Sequence, residues 1–156
     1  MTPQRLPLLL LAVALLLAGC GGGPGLRPLG SPLEATDPSL GLTTLVTIGT
    51  GFAGHRQVQW RPMAALQPLL PPHLDQPDAR PLQVSVDGAG QRLVVLRERK
   101  GRTELVLHDL RLGVSRPVPL AADGSPGAIG LSADGRQLAV AVSRNGRRRI
   151  EVLQLP

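Results

Sequence analysis

The residues able to do chemistry are few and far apart in this sequence. The histidines His55, His73 and His108 show no paired spacing such as His-Glu-x-x-His, and the single cysteine, Cys20, has no second thiol to join it. A zinc site would therefore need ligands from scattered positions. The sequence also lacks a Gly-x-Ser-x-Gly nucleophile elbow and a Gly-x-x-x-x-Gly-Lys-Ser/Thr phosphate loop. We expect surface or strand-flanking histidines, no metal or other cofactor, and no catalytic residue.

Asp134 is the carboxylate that most invites a catalytic interpretation. It lies in the segment Ser132-Ala133-Asp134-Gly135, and Asp-Gly is typical of turns because both residues tolerate positive φ. No second carboxylate lies close to it in sequence for acid–base work. We therefore predict a structural turn at Asp134, and core packing rather than ligand stacking for Trp60, the only tryptophan.

The segment before Cys20 has the pattern of an export signal. Arg5 is its only charged residue, and residues 6–17 form an apolar run interrupted only by Pro7. A bilayer span needs about 20 apolar residues, so this run is better explained as the hydrophobic region of a signal peptide. We predict a signal peptide over residues 1–19.

The residues at the end of this run resemble the lipobox of bacterial lipoproteins. Leu17-Ala18-Gly19-Cys20 places two small residues before the only thiol. The resemblance implies diacylglycerol on the Cys20 sulfur, cleavage before Cys20 and acylation of the new amine. Two or more acyl chains give stable anchoring, whereas one is marginal. The alternatives are an ordinary signal peptide with a chance cysteine and an uncleaved hydrophobic anchor.

The charge of the mature chain bears on its partners. Without residues 1–19 the chain keeps 16 basic and 11 acidic side chains, a formal charge of +5. This charge favours anionic lipid headgroups or acidic polymers of the cell envelope. Nucleic acid is not an expected partner of an exported, tethered chain. Gly21 replaces the Asp often associated with retention in the inner membrane, which favours the outer membrane without deciding between the two.

Two clusters of basic residues are the candidate binding surface. The denser one contains Arg147-Arg148-Arg149, and the other lies 45 residues earlier. Such clusters would suit anionic lipid, peptidoglycan or an acidic protein. The alternative is a solvated hairpin tip that protects strand edges. The predicted rim comprises Arg97, Arg99, Lys100, Arg102, Arg144, Arg147, Arg148 and Arg149.

Composition indicates the kind of scaffold that carries these residues. The 156 residues include 19 Gly and 16 Pro, and 42% are hydrophobic. Gly and Pro at this level disfavour a helical bundle, the apolar fraction is too high for full disorder, and one Cys excludes an intrachain disulfide. We predict a turn-rich, all-β domain. Residues 20–37, which begin Cys-Gly-Gly-Gly-Pro-Gly, are predicted to be the acylated cysteine and a flexible linker.

An internal repeat decides the predicted architecture. A shift of 45 residues places 84–110 on 129–155 with seven identities in 27 positions, two of them glycines at predicted turns. A weaker copy lies earlier, with strands at 45–48 and 57–60. In the two stronger copies we predict strands at 93–96, 104–107, 128–131, 138–142 and 149–152, with an outer strand at 117–120.

The last copy resembles the TolB-type, WD-like β-propeller repeat. The similar residues are Ser132-Ala133-Asp134-Gly135, the apolar strand after it, Ser143-Arg144-Asn145-Gly146 and the strand ending at Leu153. The copy at 84–110 keeps Gly90 and Gly101 but lacks the Asp-Gly pair. The resemblance implies four-stranded blades in a protein that faces the periplasm, in a family that works through protein contacts and not as an enzyme.

We therefore expect a partial β-propeller of about three antiparallel blades, at 38–80, 81–125 and 126–156, preceded by a signal peptide helix and the linker. Closed propellers have about 4–8 blades, so three leave two apolar flanks. Either loops cover an open wedge or two chains form a homodimer. Residues 38–44 would give the last blade a fourth strand only if the chain closed on itself.

These features favour a lipid-anchored module of the cell envelope that binds an unidentified envelope protein and is not an enzyme. The alternatives are an envelope hydrolase, for which the sequence offers no clustered nucleophile and base, and a degenerate propeller fragment with a structural role only.

Overall fold

The computed structural model describes residues 35–51, 54–64, 69–71, 74, 76–120 and 124–156. The predicted signal peptide helix, Cys20 and most of the predicted linker lie outside these residues. The described part is all-β, as predicted, and contains ten strands. They are β1 (Ala35–Leu40), β2 (Thr44–Thr50), β3 (Arg56–Pro62), β4 (Ala79–Val86), β5 (Arg92–Arg99), β6 (Arg102–Asp109), β7 (Val114–Val118), β8 (Ser125–Leu131), β9 (Gln137–Arg144) and β10 (Arg147–Gln154).

The strands form three antiparallel sheets, which we name blades in chain order. Blade 1 has the order β1-β2-β3, blade 2 the order β4-β5-β6-β7, and blade 3 the order β8-β9-β10. At the outer side of blade 1, Leu69 makes an isolated bridge with Trp60 of β3. Each blade therefore runs outward from its first strand through hairpin connections, which confirms the predicted partial propeller.

The internal repeat is visible in the strand bounds. β9 and β10 begin and end 45 residues after β5 and β6. Each pair is joined by a two-residue turn in which both residues have positive φ, Lys100-Gly101 at 50° and 72°, and Asn145-Gly146 at 49° and 75°. Two positive φ values in a row are typical of the type I′ turn, whose twist matches that of the strands it joins.

Some predicted boundaries were wrong, and the pairing that depended on closure of the chain is not formed by the described residues. β1 begins at Ala35, inside the predicted linker, whereas β4 and β8 begin two residues and one residue before the predicted blade starts. The strand within 38–44 is not a fourth strand of blade 3, because β1 pairs with β2 as the inner strand of blade 1. The outer strand of blade 2 spans Val114–Val118, earlier than predicted, and pairs with β6.

Blade 2 lies between the other two, and the core lies in the two interfaces that this creates. Along β5, Val95 packs towards Val46 and Ile48 of blade 1, whereas Val94 packs towards Leu138 of blade 3. β5 is therefore apolar on both faces, as expected of a strand with a neighbour on each side.

The same hydrogen bonds recur at both interfaces. The backbone N–H of Val84 and of Val86 in β4 donate to Asp37 Oδ2 at 2.6 Å and Ser39 Oγ at 2.9 Å in β1. In the next interface, the N–H groups of Ile129 and Leu131 in β8 donate to Gln83 Oε1 at 2.9 Å and Ser85 Oγ at 2.8 Å. β4 and β8, the inner strands of blades 2 and 3, thus each donate backbone hydrogen bonds to side chains of the preceding blade.

Blade 3 does not repeat these acceptors. The 45-residue register places Ala128 and Gly130 where blade 2 has Gln83 and Ser85, and neither has a polar side chain. The series of side-chain acceptors therefore stops at blade 3.

Candidate functional site

The connections between strands lie at two ends of the blade stack. At one end the turns after β1, β4 and β8 touch one another, because Leu42 N–H donates to the Gly88 carbonyl at 2.8 Å and Gly88 N–H to the Ala133 carbonyl at 3.0 Å. The next strand of every blade runs away from this turn end. The β5–β6 and β9–β10 hairpins therefore both lie at the opposite end, which we name the hairpin end.

The hairpin end carries most of the predicted rim. Lys100, Arg102 and Arg147–Arg149 are all exposed. Two further residues are in ion pairs: Arg99 Nε lies 2.9 Å from Asp78 Oδ2, and Arg144 Nη2 lies 2.9 Å from Glu151 Oε1. At the hairpin end, blade 3 thus exposes a block of three arginines, whereas blade 2 exposes Lys100 and Arg102.

Arg97 does not belong to the exposed rim. It is only 7% exposed, and its Nε donates to Glu104 Oε1 at 2.6 Å. The reason is strand alternation: Arg97 shares a face of β5 with Leu93 and Val95, which packs against blade 1. The guanidinium is held by a partner directly across the hairpin and is not available to a ligand.

A cleft of about 680 Å³ opens at the hairpin end between blades 1 and 2. It holds groups of both signs, and the hydrogen bond from Arg99 to Asp78 at its wall lowers the pKa of that carboxyl and raises the pKa of the guanidinium. The sequence pattern did not reveal this cleft, because its lining comes from three segments that are far apart in sequence: the β2–β3 hairpin, residues 76–80 and the β5–β6 hairpin. Its charged or ionisable lining residues are His55, Arg56, Asp78, Arg80, Glu98 and Lys100.

The two histidines that the structure describes do not form a site together. His55 is exposed, but His108 is completely buried in β6, which corrects the expectation of a surface or strand-flanking residue. Its Nδ1 lies 2.8 Å from Ser115 Oγ on the paired strand β7. His73 lies outside the described residues. Among the residues that the structure describes, no three His, Cys, Asp or Glu side chains converge as metal ligands.

Asp134 has the structural environment that its turn predicts. Its Oδ1 accepts a hydrogen bond from Ser132 Oγ at 2.6 Å and from the Arg136 N–H at 3.0 Å. The Ser132 hydroxyl is the main cause of the lowered pKa of Asp134, followed by the Arg136 N–H. Ser132 Oγ in turn accepts from Gln137 N–H at 2.9 Å.

In blade 2, one residue accepts both of the backbone hydrogen bonds that Asp134 and Ser132 accept in blade 3. Asp87 stands where blade 3 has Ser132, and its Oδ1 accepts from Gln91 N–H at 2.8 Å and from Arg92 N–H at 3.2 Å. These two N–H groups are the equivalents of those held by Asp134 and Ser132. At the register of Asp134-Gly135 this copy has Ala89-Gly90, and its own Asp-Gly pair, Asp87-Gly88, lies two residues earlier.

The outer face of blade 3, turned away from blade 2, is an apolar surface that the sequence analysis did not single out. Ile150 and Val152 of β10 are 68% and 64% exposed, and the paired strand β9 places Ala141 and Ala139 opposite them. The 45-residue register could have revealed this face, because the same positions in blade 2 are buried against blade 3. Those blade 2 positions are Val94, Leu96, Leu105 and Leu107.

Trp60 has the expected role, since it packs against the core between blades 1 and 2. A search for membrane-spanning helices within the described ranges finds no helix of sufficient length and apolarity.

Comparison with solved structures identifies the same architecture elsewhere. TolB from Acinetobacter baumannii superimposes with a TM-score of 0.61 at 14% identity, covering 81% of this chain and 31% of that one. A TolB of Agrobacterium tumefaciens gives 0.65 at 17% identity, covering 86% and 48%. The β-propeller domain of the Trilobed protease from Pyrococcus furiosus gives 0.50 at 13% identity, covering 79% and 43%.

The chain thus spans between 31% and 48% of the length of these solved chains. No protein-family model and no curated protein matches the sequence. At these identities the likeness concerns the fold, and it agrees with the resemblance that the last repeat predicts: the described residues form TolB-like β-propeller blades.

Proposed function

We propose that this chain is a lipid-anchored protein of the cell envelope whose three TolB-like blades form a non-enzymatic protein-interaction module. The observation that carries the proposal is the blade stack itself, whose described residues present a basic hairpin end and an apolar outer face. Propeller blades commonly serve as rigid platforms for binding residues on their faces and rims.

Anchoring rests on Cys20 and the residues before it. Lipidation of that thiol after export, with cleavage before Cys20 and acylation of the new amine, places the domain on the periplasmic side of a membrane, with Gly21 favouring the outer one. The basic rim then faces anionic headgroups or an acidic partner, and nucleic acid is not a partner in that compartment.

Anchoring is tested by growing cells that express the full chain with radiolabelled palmitate. We expect label on the wild-type chain and none on Cys20→Ser, whereas Ser31→Ala serves as the matched control that keeps it. Equal labelling of Cys20→Ser would overturn the lipid anchor.

The interaction role is tested by photo-crosslinking in cells. A photoreactive amino acid at exposed Arg102, Arg148 or Val152 should yield discrete crosslinked products with envelope proteins, whereas buried Leu93 serves as the control position. Absence of products from all exposed positions, together with turnover of an envelope substrate by the purified chain, would favour a hydrolase.

A further inference from the structure

The outer edge of β10 is open in the described part of the chain, whereas its equivalent in blade 2 is covered. β6 pairs with β5 on one side and with β7 on the other. β10 pairs with β9 and ends its sheet. An open strand edge presents a row of backbone donors and acceptors to any second strand of suitable chemistry.

The β9–β10 hairpin determines which backbone groups point outward. A two-residue turn closes on a residue pair that exchanges both hydrogen bonds, here Arg144 and Arg147. Bonded and non-bonded pairs alternate from that point, and the register continues without a break to Gln154. Ile150, Val152 and Gln154 therefore direct their N–H and C=O groups away from β9.

Blade 2 shows how a strand is held at these positions. The equivalents of Ile150, Val152 and Gln154 are the residues of β6 that face β7, and β7 lies antiparallel to them. The observed pairs are Leu105 with Val118, Leu107 with Arg116 and Asp109 with Val114. An added strand on β10 would take the same direction and register.

The two outermost edges are protected differently. In β7, Pro117 lies opposite Val106, a residue whose hydrogen bonds go to β5, so the proline nitrogen faces outward and that edge lacks a donor. Proline at an outward position is a common protection against strand addition. β10 contains neither a proline nor a bulge, and only its arginines distinguish it from an unprotected edge.

Side-chain chemistry indicates what kind of segment fits. Towards Gln154 the open edge carries exposed Val152 and Ile150, and towards the hairpin it carries exposed Arg147–Arg149. The one acidic residue of β10, Glu151, is already paired with Arg144. A complementary strand is apolar opposite the first pair and acidic opposite the arginines. A second copy would bring three more arginines and compensates this charge less well.

We propose that β10 binds an extended, acidic segment of a partner protein by antiparallel strand addition. This proposal rests on the proposed interaction function and deepens it by naming a site and a partner chemistry. Backbone hydrogen bonds to Ile150, Val152 and Gln154 supply the docking, and the arginines select the acidic end, as in other cases of strand addition to a sheet edge.

The probe is a fluorescein-labelled synthetic peptide, Thr-Thr-Val-Thr-Val-Asp-Glu-Asp, added to the full chain purified in detergent. Its valines fall opposite Val152 and Ile150, and its acidic residues opposite Arg149, Arg148 and Arg147. Val152→Pro removes one outward N–H without touching a bond to β9, and Val152→Thr is the matched control. We expect Val152→Pro to weaken peptide binding about tenfold relative to Val152→Thr.

Two further measurements keep the test independent of the folding of the proline variant. A peptide N-methylated at its first valine should bind about tenfold more weakly to the wild-type chain, since it lacks the matching donor. Arg148→Glu should weaken binding of the acidic peptide. A peptide with lysines in place of its acidic residues should not bind to the wild-type chain.

Equal binding of the proline and threonine variants, or of the methylated and unmethylated peptides, would overturn strand addition. A chain dimer that Val152→Pro converts to monomer in sedimentation would instead make a second copy the occupant. If the peptide fails to bind but crosslinks to envelope proteins persist at Arg102, this site is wrong while the proposed function stands.

Discussion

The two ends of the blade stack differ although they are built from the same strand plan. On blade 1, the face turned away from blade 2 is largely polar; on blade 3, the face turned away from blade 2 is apolar. Blade 2, between them, is apolar at most of the equivalent positions on both faces. The outward positions are Leu45, Thr47, Gly49, Gln57, Gln59 and Arg61 on blade 1, and Ala139, Ala141, Ile150 and Val152 on blade 3.

Blade 1 also closes its outer face with its own side chains. The amide of Gln59 lies over Gly49, and that of Gln57 lies over Gly51, so closely that a Cβ at either glycine would come within 2.5 Å of an amide atom. Polar outer faces are typical of the terminal units of repeat proteins, which must not attract a further unit. In the described part of the chain, the blade stack therefore has one largely polar outer face and one apolar outer face.

The largest expected effect compares equivalent residues on a covered and an open face. Leu105 is buried against blade 3, whereas Ile150 occupies the same position on the open face. We expect Leu105→Ala to lower the free energy of unfolding by about 2–5 kcal/mol and Ile150→Ala by less than about 0.5 kcal/mol. Urea unfolding of the purified chain measures both. A large loss for Ile150→Ala would mean that the open face is already covered in the purified chain.

A smaller effect is expected for the side chains that accept hydrogen bonds from the inner strand of the next blade. Ser85→Ala leaves the N–H of Leu131 without its acceptor, and we expect it to cost about 1–3 kcal/mol. Gly130→Ser places the same hydroxyl on blade 3, where a Cβ meets no atom within 4 Å. We expect this second change to alter the free energy of unfolding by less than about 0.5 kcal/mol. Similar losses for both variants in urea unfolding would contradict the idea that the series ends at blade 3.

The smallest effect concerns pH at the turn end. Asp87 is buried, with Gly135 of blade 3 packed against it, whereas the equivalent turn of blade 3 leaves Asp134 exposed. Hydrogen bonds lower the pKa of Asp134 on folding, so its contribution to the stability of the fold is complete above its ordinary pKa of 3.8. That contribution is lost as the pH falls through the lowered pKa. The wild-type chain should lose slightly more stability than Asp134→Asn below about pH 3.8. Parallel curves of unfolding midpoint against pH would contradict this.

The repeat made much of the fold predictable. Apolar runs, Asn145-Gly146 and the 45-residue period were enough to place β5, β6, β9 and β10, because local pattern and turn chemistry act together in these hairpins. β1 was missed in part because Asp37 and Pro38 resemble a linker. Its strand is held by hydrogen bonds that the Asp37 and Ser39 side chains accept from backbone N–H groups of β4, 47 residues away.

The candidate surface was predictable only in part. The exposed arginines were found, but the burial of Arg97 depends on which face of β5 meets blade 1, and that of His108 depends on its place between blades. In the sequence, the residues of the outer face of blade 3 have the same apolar character as core residues. Only the absence of a neighbour in the described structure distinguishes Ile150 from Leu105.

The hydrogen bonds between successive inner strands also have a mechanical consequence. β1 is the first strand that the structure describes and lies nearest in sequence to Cys20, and β10 belongs to blade 3. A force applied between a membrane anchor and a partner bound to β10 would act in series on the interface between blades 1 and 2 and on that between blades 2 and 3. Ser39 and Ser85 would then share the load, and the weaker interface would set the force at which the chain yields.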